Sequence, residues 1–482
     1  MIRRREAPAK TPALLSAPAD SNPGVLVEAH DGVAPIAVTG DHAIVGLTED
    51  PLGATIRRVA LPAVASTLLM TVFATVDALW VGRYVGPRAL AAVSTSMFWI
   101  WLVIAIAEMV SVGLTAVAAR RHGEGLHREA ARTVGDALVY AIALGLVVAI
   151  CGRLLVARMF SLMQTPEDVS ALGTAYLGTY LLAAPLIFGF FAIDAAFRAS
   201  GDTRTPFVLL AASVAVTLVL DPVLILGLGP APQLGVVGAA IATTSTRAAV
   251  CVLGVVVLVR RRMVVFGRPR PAVWLALSRV GLPIAITGVT FSLIYVAVTR
   301  TTTRFGTPAL AAIGIGHRVE SWIYMASVGF GAAAAAIVAQ NMGAGHIGRA
   351  RRTGWITVGY ASVPGIVLGI VSLAASRELA GLFTTDPAVI AEGAHYLRIA
   401  ALSNLVIACE IVLEAAMGGA GYTFPPMLTS TVLTAVRIPL AAIAAAQWGT
   451  AGIWWTISAT AAARGLAMVA LWRIGHWSRT SV

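Results

Sequence analysis

From about residue 58 onward the chain alternates long apolar runs with short polar stretches. A helix needs about 20 predominantly apolar residues to cross the hydrocarbon of a bilayer. Twelve runs reach that length, near 58–82, 90–119, 133–156, 172–197, 206–229, 235–259, 280–303, 309–339, 353–375, 394–417, 426–447 and 449–472. The pattern predicts an all-α membrane protein of twelve transmembrane helices.

The polar stretches fix the orientation expected of those helices. Arg120, Arg121, Arg260, Arg261, Arg262, Arg351 and Arg352 fall on one set of alternate loops, and the other set holds only Arg83, Arg88, Arg158, Arg304 and Arg377. Basic residues accumulate in cytoplasmic loops. Both termini are therefore expected in the cytoplasm, with the protein a multi-pass component of the plasma (inner) membrane. The formal net charge is +12, but only 12% of residues are charged and 58% are hydrophobic. A soluble domain carries about a quarter charged residues. The cations sit between apolar spans, which assigns them to the membrane surface and not to nucleic acid. Residues 1–50, rich in Ala, Pro, Asp and Gly, contain no apolar run long enough for a signal peptide and read as a disordered cytoplasmic tail. Cys151, Cys251 and Cys409 lie inside apolar spans without paired spacing, and the histidines form no metal pattern.

A repeat of about 220 residues runs through the spans. "GLHREAARTVG" (125–135) precedes "GHIGRARRTG" (345–354) by that interval, as "AYL" (175–177) precedes "HYL" (395–397) and "GDTRTP" (201–206) precedes "GYTFPP" (421–426). "PRALAAVS" (87–94) meets "PALAAIG" (308–314) with a one-residue slip. Six spans per half is an even number, so the halves enter from the same side and form parallel repeats, an architecture of alternating-access carriers. The expected domains are the tail, 1–50; a six-helix lobe, 51–262; an interlobe loop, 263–279, acting as a hinge; and a second six-helix lobe, 280–475.

"FRASGDTRTP" is similar to a signature of the multidrug and toxic-compound extrusion (MATE) family. "VDALWVGRYVGPRALAAVS", "LDPVLILGLGPAPQLGVVGAAIATT", "GLPIAI", "VGFGAAAAAIVAQNMGAG" and "RIPLA" extend the resemblance over about residues 51–475. It implies two six-helix lobes in a V. It also implies efflux of amphipathic or cationic organic compounds, in exchange for protons or sodium, by a monomer in the lipid bilayer that needs no cofactor.

Charges inside the spans are the candidate coupling groups, because carboxylates at membrane depth are rare and serve ion pathways. Asp77 and Asp221 lie in the first and fifth spans at comparable depth and need a shared proton or cation. Pro222 frees a carbonyl beside Asp221, and Thr217 and Thr243 add oxygens. Resemblance to the DNA-damage-inducible F-like branch implies that the two aspartates bind the coupling ion; the alternative is that one neutralises Arg247. In the second half the seventh span lacks an acid. Glu410 and Glu414 share a face of the tenth span, with Arg437 of the eleventh set to neutralise Glu410. Glu108 and Glu320 are placed to line a cavity. Met70, Met97, Met109, Met325, Phe98, Trp99 and Trp101 suit either an adaptable cargo cavity or ordinary packing. The other readings are a lipid-linked precursor flippase of the same superfamily and a membrane-embedded enzyme. The absence of a nucleophile elbow or His/Asp cluster disfavours the enzyme, and the absence of a phosphate-binding GxxxxGK[ST] loop disfavours an ATP-driven pump.

Overall fold

A computed structural model describes residues 47–480 apart from 86 and 164–166, and omits some side chains between 78 and 98 and between 292 and 310, those of Arg83, Arg88 and Phe98 among them. The tail before residue 47 lies outside the described residues. The described chain is helical. Seven helices make the first lobe: α1 (Leu52–Tyr84), α2 (Pro87–Gly123), α3 (His127–Leu162), α4 (Glu167–Leu182), α5 (Ala184–Ala199), α6 (Arg204–Leu226) and α7 (Val236–Arg260). The second comprises α8 (Pro271–Thr302), α9 (Thr307–Gly343), α10 (Ile347–Ala374), the short α11 (Ser376–Gly381), α12 (Pro387–Gly419), α13 (Phe424–Ala435), α14 (Arg437–Trp448) and α15 (Thr450–Ile474). Eleven helical stretches are long and apolar enough to cross a membrane, and α4 with α5, bent by 52°, makes a twelfth.

Proline decides where spans break. Pro185 is the second residue of α5, where a missing N–H costs nothing, so the fourth span restarts there at an angle instead of running straight over 172–197. Pro439 cannot donate to the Ala435 carbonyl, and the eleventh span divides at Val436. Pro222, by contrast, sits within an unbroken α6 and leaves the Leu218 carbonyl without its helical donor. The "GDTRTP" segment is turn chemistry. Gly201 has φ 89°, and Asp202 Oδ1 accepts from the backbone N–H groups of Arg204 and Thr205, both at 3.0 Å, capping α6. Its Oδ2 accepts from Arg261 Nη1 at 2.7 Å, tying the turn to the end of α7.

The arginine-rich turns gather at one end of the bundle, the basic end, and there the lobes meet. α1 packs on α9, and α2 packs on both α8 and α9. Leu47, Ile56, Val59 and Ala60 form a fully buried cluster with Ala333 and Ile337 of α9. Thr67 Oγ1 donates to the Met325 carbonyl at 2.8 Å. Two segments that precede helices cross between lobes. Before α1, the Leu47 carbonyl accepts from Asn341 Nδ2, and the Asp50 carbonyl accepts from Arg349. Before α8, Val265 N–H donates to the Ala131 carbonyl of α3 at 3.0 Å, and Arg270 binds Asp136 at 2.6 Å and Glu129 at 3.0 Å. The segment 263–270 is therefore docked and not a free hinge, and α8 begins at Pro271. Arg270 and Asp50 are 220 residues apart, as are Arg349 and Glu129, so the two crossings are repeat mates with the charges exchanged.

The docking of Leu47 divides the tail functionally. Deletion of residues 2–45, which contain no apolar run to pack, is expected to leave expression and transport within about twofold. Deletion through residue 50 removes Leu47 and both carbonyl acceptors and is expected to lower the melting temperature of purified protein by several degrees. Equal stability of the two truncations would refute the anchoring role.

Candidate functional site

The first lobe buries its two intramembrane aspartates together. Asp77 comes from α1 and Asp221 from α6, helices that pack on each other. Asp221 is 0% exposed and Asp77 9%. Each lies within electrostatic reach of the other, and both reach Tyr176 of α4. Among the described residues neither oxygen of Asp221 has a hydrogen-bond partner, and Asp77 Oδ1 has none. One turn before Asp221, Thr217 Oγ1 donates to the Ser213 carbonyl and lies 2.7 Å from the hydroxyl of Thr246 on α7. Thr246, not Thr243, is the residue of α7 that meets Thr217. Thr243 is half-buried, and its carbonyl accepts from Thr246 Oγ1 at 3.1 Å.

Arg247 does not neutralise these acids. Among the described residues no ion pair joins it to either aspartate; its guanidinium lies 5.5 Å from the centre of the Phe190 ring and approaches Met70 Sδ. Two buried carboxylates thus lie within electrostatic reach of each other, and among the described residues no cation is paired with either. Several kcal/mol oppose burying each such charge, so the arrangement calls for a mobile partner.

The second lobe is balanced differently. Glu410 pairs with Arg464 of α15 at 2.8 Å, which corrects the expected pairing with Arg437. Arg437, held at the start of α14, donates through Nε to Thr460 Oγ1 at 2.9 Å and through Nη2 to the Ile457 carbonyl. It is 6% exposed, and its acceptors are neutral. Glu320 accepts from the Tyr396 hydroxyl at 3.3 Å and belongs to the interior of this lobe, not to an interlobe cavity. Glu414 accepts weakly from Ser430 at 3.5 Å. Its repeat mate Asp194 pairs with Arg198.

Between the lobes, away from the basic end, Glu108 of α2 is exposed, as are Trp322 and Tyr324 of α9 at 49% and 47%. Tyr324 lies within electrostatic reach of Glu108, Glu410, Glu414 and Arg464, so charged groups of both lobes surround one exposed tyrosine. Trp101 is exposed too, whereas Met109 is packed in the interface.

The residues missed from sequence each left a trace. Tyr176 and Tyr396 are repeat mates inside "AYL" and "HYL", and each abuts the polar cluster of its own lobe. Arg464 was a charge in a span and had the same claim to notice as Glu410. Thr246 differs from Thr243 by less than a helical turn, which periodicity alone does not resolve. Among the described residues no group of three His, Cys, Asp or Glu side chains could hold a metal ion.

Comparison with known proteins places this geometry. The MatE family model matches twice, over 62–223 and 283–443, one copy in each lobe. The chain is 29% identical over 390 residues to "Probable multidrug resistance protein YoeA" of Bacillus subtilis, covering 79% of this chain and 84% of that one. It is 27% identical over 432 residues to a protein of Shewanella oneidensis named "FAD transporter", covering 88% and 94%. A crystal structure of the Vibrio cholerae MATE transporter VcmN in its bent form superposes with a TM-score of 0.81 at 21% identity, over 89% of this chain and 97% of that one. With both copies of the family repeat present, one in each lobe, the chain belongs to the MatE family of multi-pass membrane transporters.

Proposed function

We propose that the protein exports amphipathic or cationic organic compounds across the plasma membrane, with its termini and basic end in the cytoplasm, in exchange for protons that load at Asp77 and Asp221. The observation that carries the reading is the buried, unpartnered carboxylate of Asp221 beside Asp77. A single proton bound by the pair removes one charge and the repulsion between them. A sodium ion needs a cage of several oxygens, and the hydroxyls of Thr217 and Thr246 are held against each other and against helix carbonyls one turn earlier. The two acids of α1 and α6 are those expected of the F-like branch. Cargo would enter the cleft where Glu108, Glu414 and Tyr324 converge, and acids suit a cationic guest. The name of the Bacillus subtilis relative supports a multidrug substrate range. A phosphate-bearing anion is the second reading, favoured by Arg437, a buried cation with neutral acceptors only, and by the name of the Shewanella relative. Efflux of a cationic dye and of a flavin nucleotide, compared in the same proteoliposomes, separates the two.

Asp77→Asn and Asp221→Asn keep shape and lose the titratable charge. Each is expected to reduce gradient-driven efflux at least about a hundredfold while folding normally, since the transported proton has no other acceptor pair there. Near-wild-type efflux by both folded variants would remove the assignment.

Glu410 should behave as a structural partner. Glu410→Gln strands Arg464 in the interior and is expected to cost roughly 3–5 kcal/mol of stability, the magnitude typical of a broken buried pair. Glu410→Gln with Arg464→Met should recover most of that loss in thermal unfolding and retain partial efflux. An additive loss in the double variant would show that the pair is not coupled.

Ion dependence decides the mechanism. At one external pH, an inward proton gradient alone, with sodium equal on both sides, is expected to drive efflux from proteoliposomes, and a sodium gradient alone, with pH equal on both sides, to have no effect. The opposite result would eliminate proton loading at the aspartates.

A further inference from the structure

The basic end carries a contact that repeats itself across the two lobes. α2 and α9 end side by side, at Gly123 and Gly343, which are 220 residues apart. A Cβ at Gly123 would lie 1.9 Å from the Gln340 carbonyl oxygen, and one at Gly343 would lie 2.0 Å from the Arg120 carbonyl oxygen. No side chain fits at that spacing, so each glycine touches the backbone of the opposite helix. The residues touched, Arg120 and Gln340, are themselves 220 residues apart.

Their side chains extend the reciprocity. Gln340 Nε2 donates across the interface to the Ala199 carbonyl at the end of α5, at 2.6 Å. Arg120 Nη1 donates across it to the Thr480 carbonyl of the C-terminal segment, at 2.8 Å. Farther from the basic end the same two helices make reciprocal approaches to α8 and α1: Gly281 meets the Met109 carbonyl, and Gly329 meets the backbone of Val64. The polar side chains nearest the seal are closed off, with Thr115 4%, Gln340 2% and Asn341 0% exposed. Beyond them lies the accessible cleft of Glu108 and Tyr324.

We propose that positions 120, 123, 340 and 343 form the cytoplasmic gate of the transporter, a two-fold reciprocal seal in which each lobe supplies one glycine contact and one long polar latch. This rests on the alternating-access reading, in which the lobes rotate as bodies about their interface. For the cleft to turn toward the cytoplasm, α2 must part from α9 here, because their backbones leave no path between them. The seal is suited to parting. It consists of close backbone packing and two hydrogen bonds to carbonyls, all of which water can replace, and no ion pair bridges the crossing itself among the described residues. Because the contacts are mates, the gate opens as one unit: losing either half exposes the same passage.

The test reads opening directly, so that its failure is distinguishable from failure of the transport assignment. Thr115 lies about two turns from Gly123 on α2. With Cys151, Cys251 and Cys409 replaced by serine, Thr115→Cys is labelled by a membrane-impermeant maleimide in inside-out vesicles. In the parent, labelling is expected to be slow. Gln340→Ala and Arg120→Ala each remove one latch and are expected to accelerate it by similar factors, roughly tenfold, the scale of one lost hydrogen bond to a charged or buried group. Gly123→Val and Gly343→Val should accelerate it further and to the same extent as each other. Should the valine variants fail to fold, the latch variants, which leave the helix crossing in place, carry the test. Unchanged labelling in both latch variants would overturn the gate, and acceleration by only one of them would overturn its reciprocity.

Discussion

Hydrocarbon offers no hydrogen bonds, and every polar group that enters it must find its partner inside the protein. That constraint organises this molecule. It makes the chain helical, sends serine and threonine hydroxyls back to carbonyls one turn earlier, as at Ser96, Thr115 and Thr434, and pairs Glu410 with Arg464. Against that background Asp221 stands out as a fully buried carboxylate with no hydrogen-bond partner at either oxygen among the described residues. The backbone cannot supply the partner, since the Leu218 carbonyl freed by Pro222 is an acceptor like the carboxylate itself. A proton or a cation brought from outside would complete the site, which is the physical basis of the proposed coupling role.

The duplication explains how one scaffold holds two different interiors. Repeat mates occupy the same places in each lobe, and Tyr176 and Tyr396 mark the polar cluster in both. The charges there have diverged. Thr217 in the first lobe corresponds by the 220-residue interval to Arg437 in the second, and Asp221 to Ala441. A fixed guanidinium thus stands in the second lobe near the level at which the first lobe keeps two unpaired acids. A site with its own permanent cation has no vacancy for a mobile one. With this asymmetry the proposed proton exchange belongs to the first lobe.

Much of the fold was legible because the signals were long. Apolar runs of membrane length, arginine asymmetry and the repeat gave the spans and the two lobes, and the family match then fell on both halves. The site was legible only where a residue was chemically out of place. Asp77 and Asp221 announced themselves by charge, whereas Thr246 and Tyr176 are ordinary in membrane helices and became identifiable through packing. The pairing of Glu410 was misread because sequence gives depth but not azimuth: Arg437 and Arg464 lie at reachable depths, and the direction of α15 decides between them. The docking of Leu47 left no signal beyond the short apolar run "AIVGL" (43–47) ahead of the first span.

The gate and the coupling site follow opposite rules, and the reason is mechanical. The two lobes are repeats related by an axis along the membrane normal, so when they rock against each other repeat mates move through equivalent paths, and contacts that part during the motion are best balanced when they are reciprocal. The crossing of α2 and α9 has that form in its glycines and in its latches. Chemistry has no such requirement, since one proton-binding pair suffices to bias a two-state equilibrium as long as the states bind it differently. The flanking crossings before α1 and α8 lie between these extremes, symmetric in place but exchanged in charge, Arg270 to Glu129 in one and Arg349 to the Asp50 carbonyl in the other. Exchange of sign preserves the attraction while preventing either segment from docking at the other's position, where Arg270 would face Arg349. Symmetry has thus been retained where the lobes must separate together and abandoned where a connection must be specific.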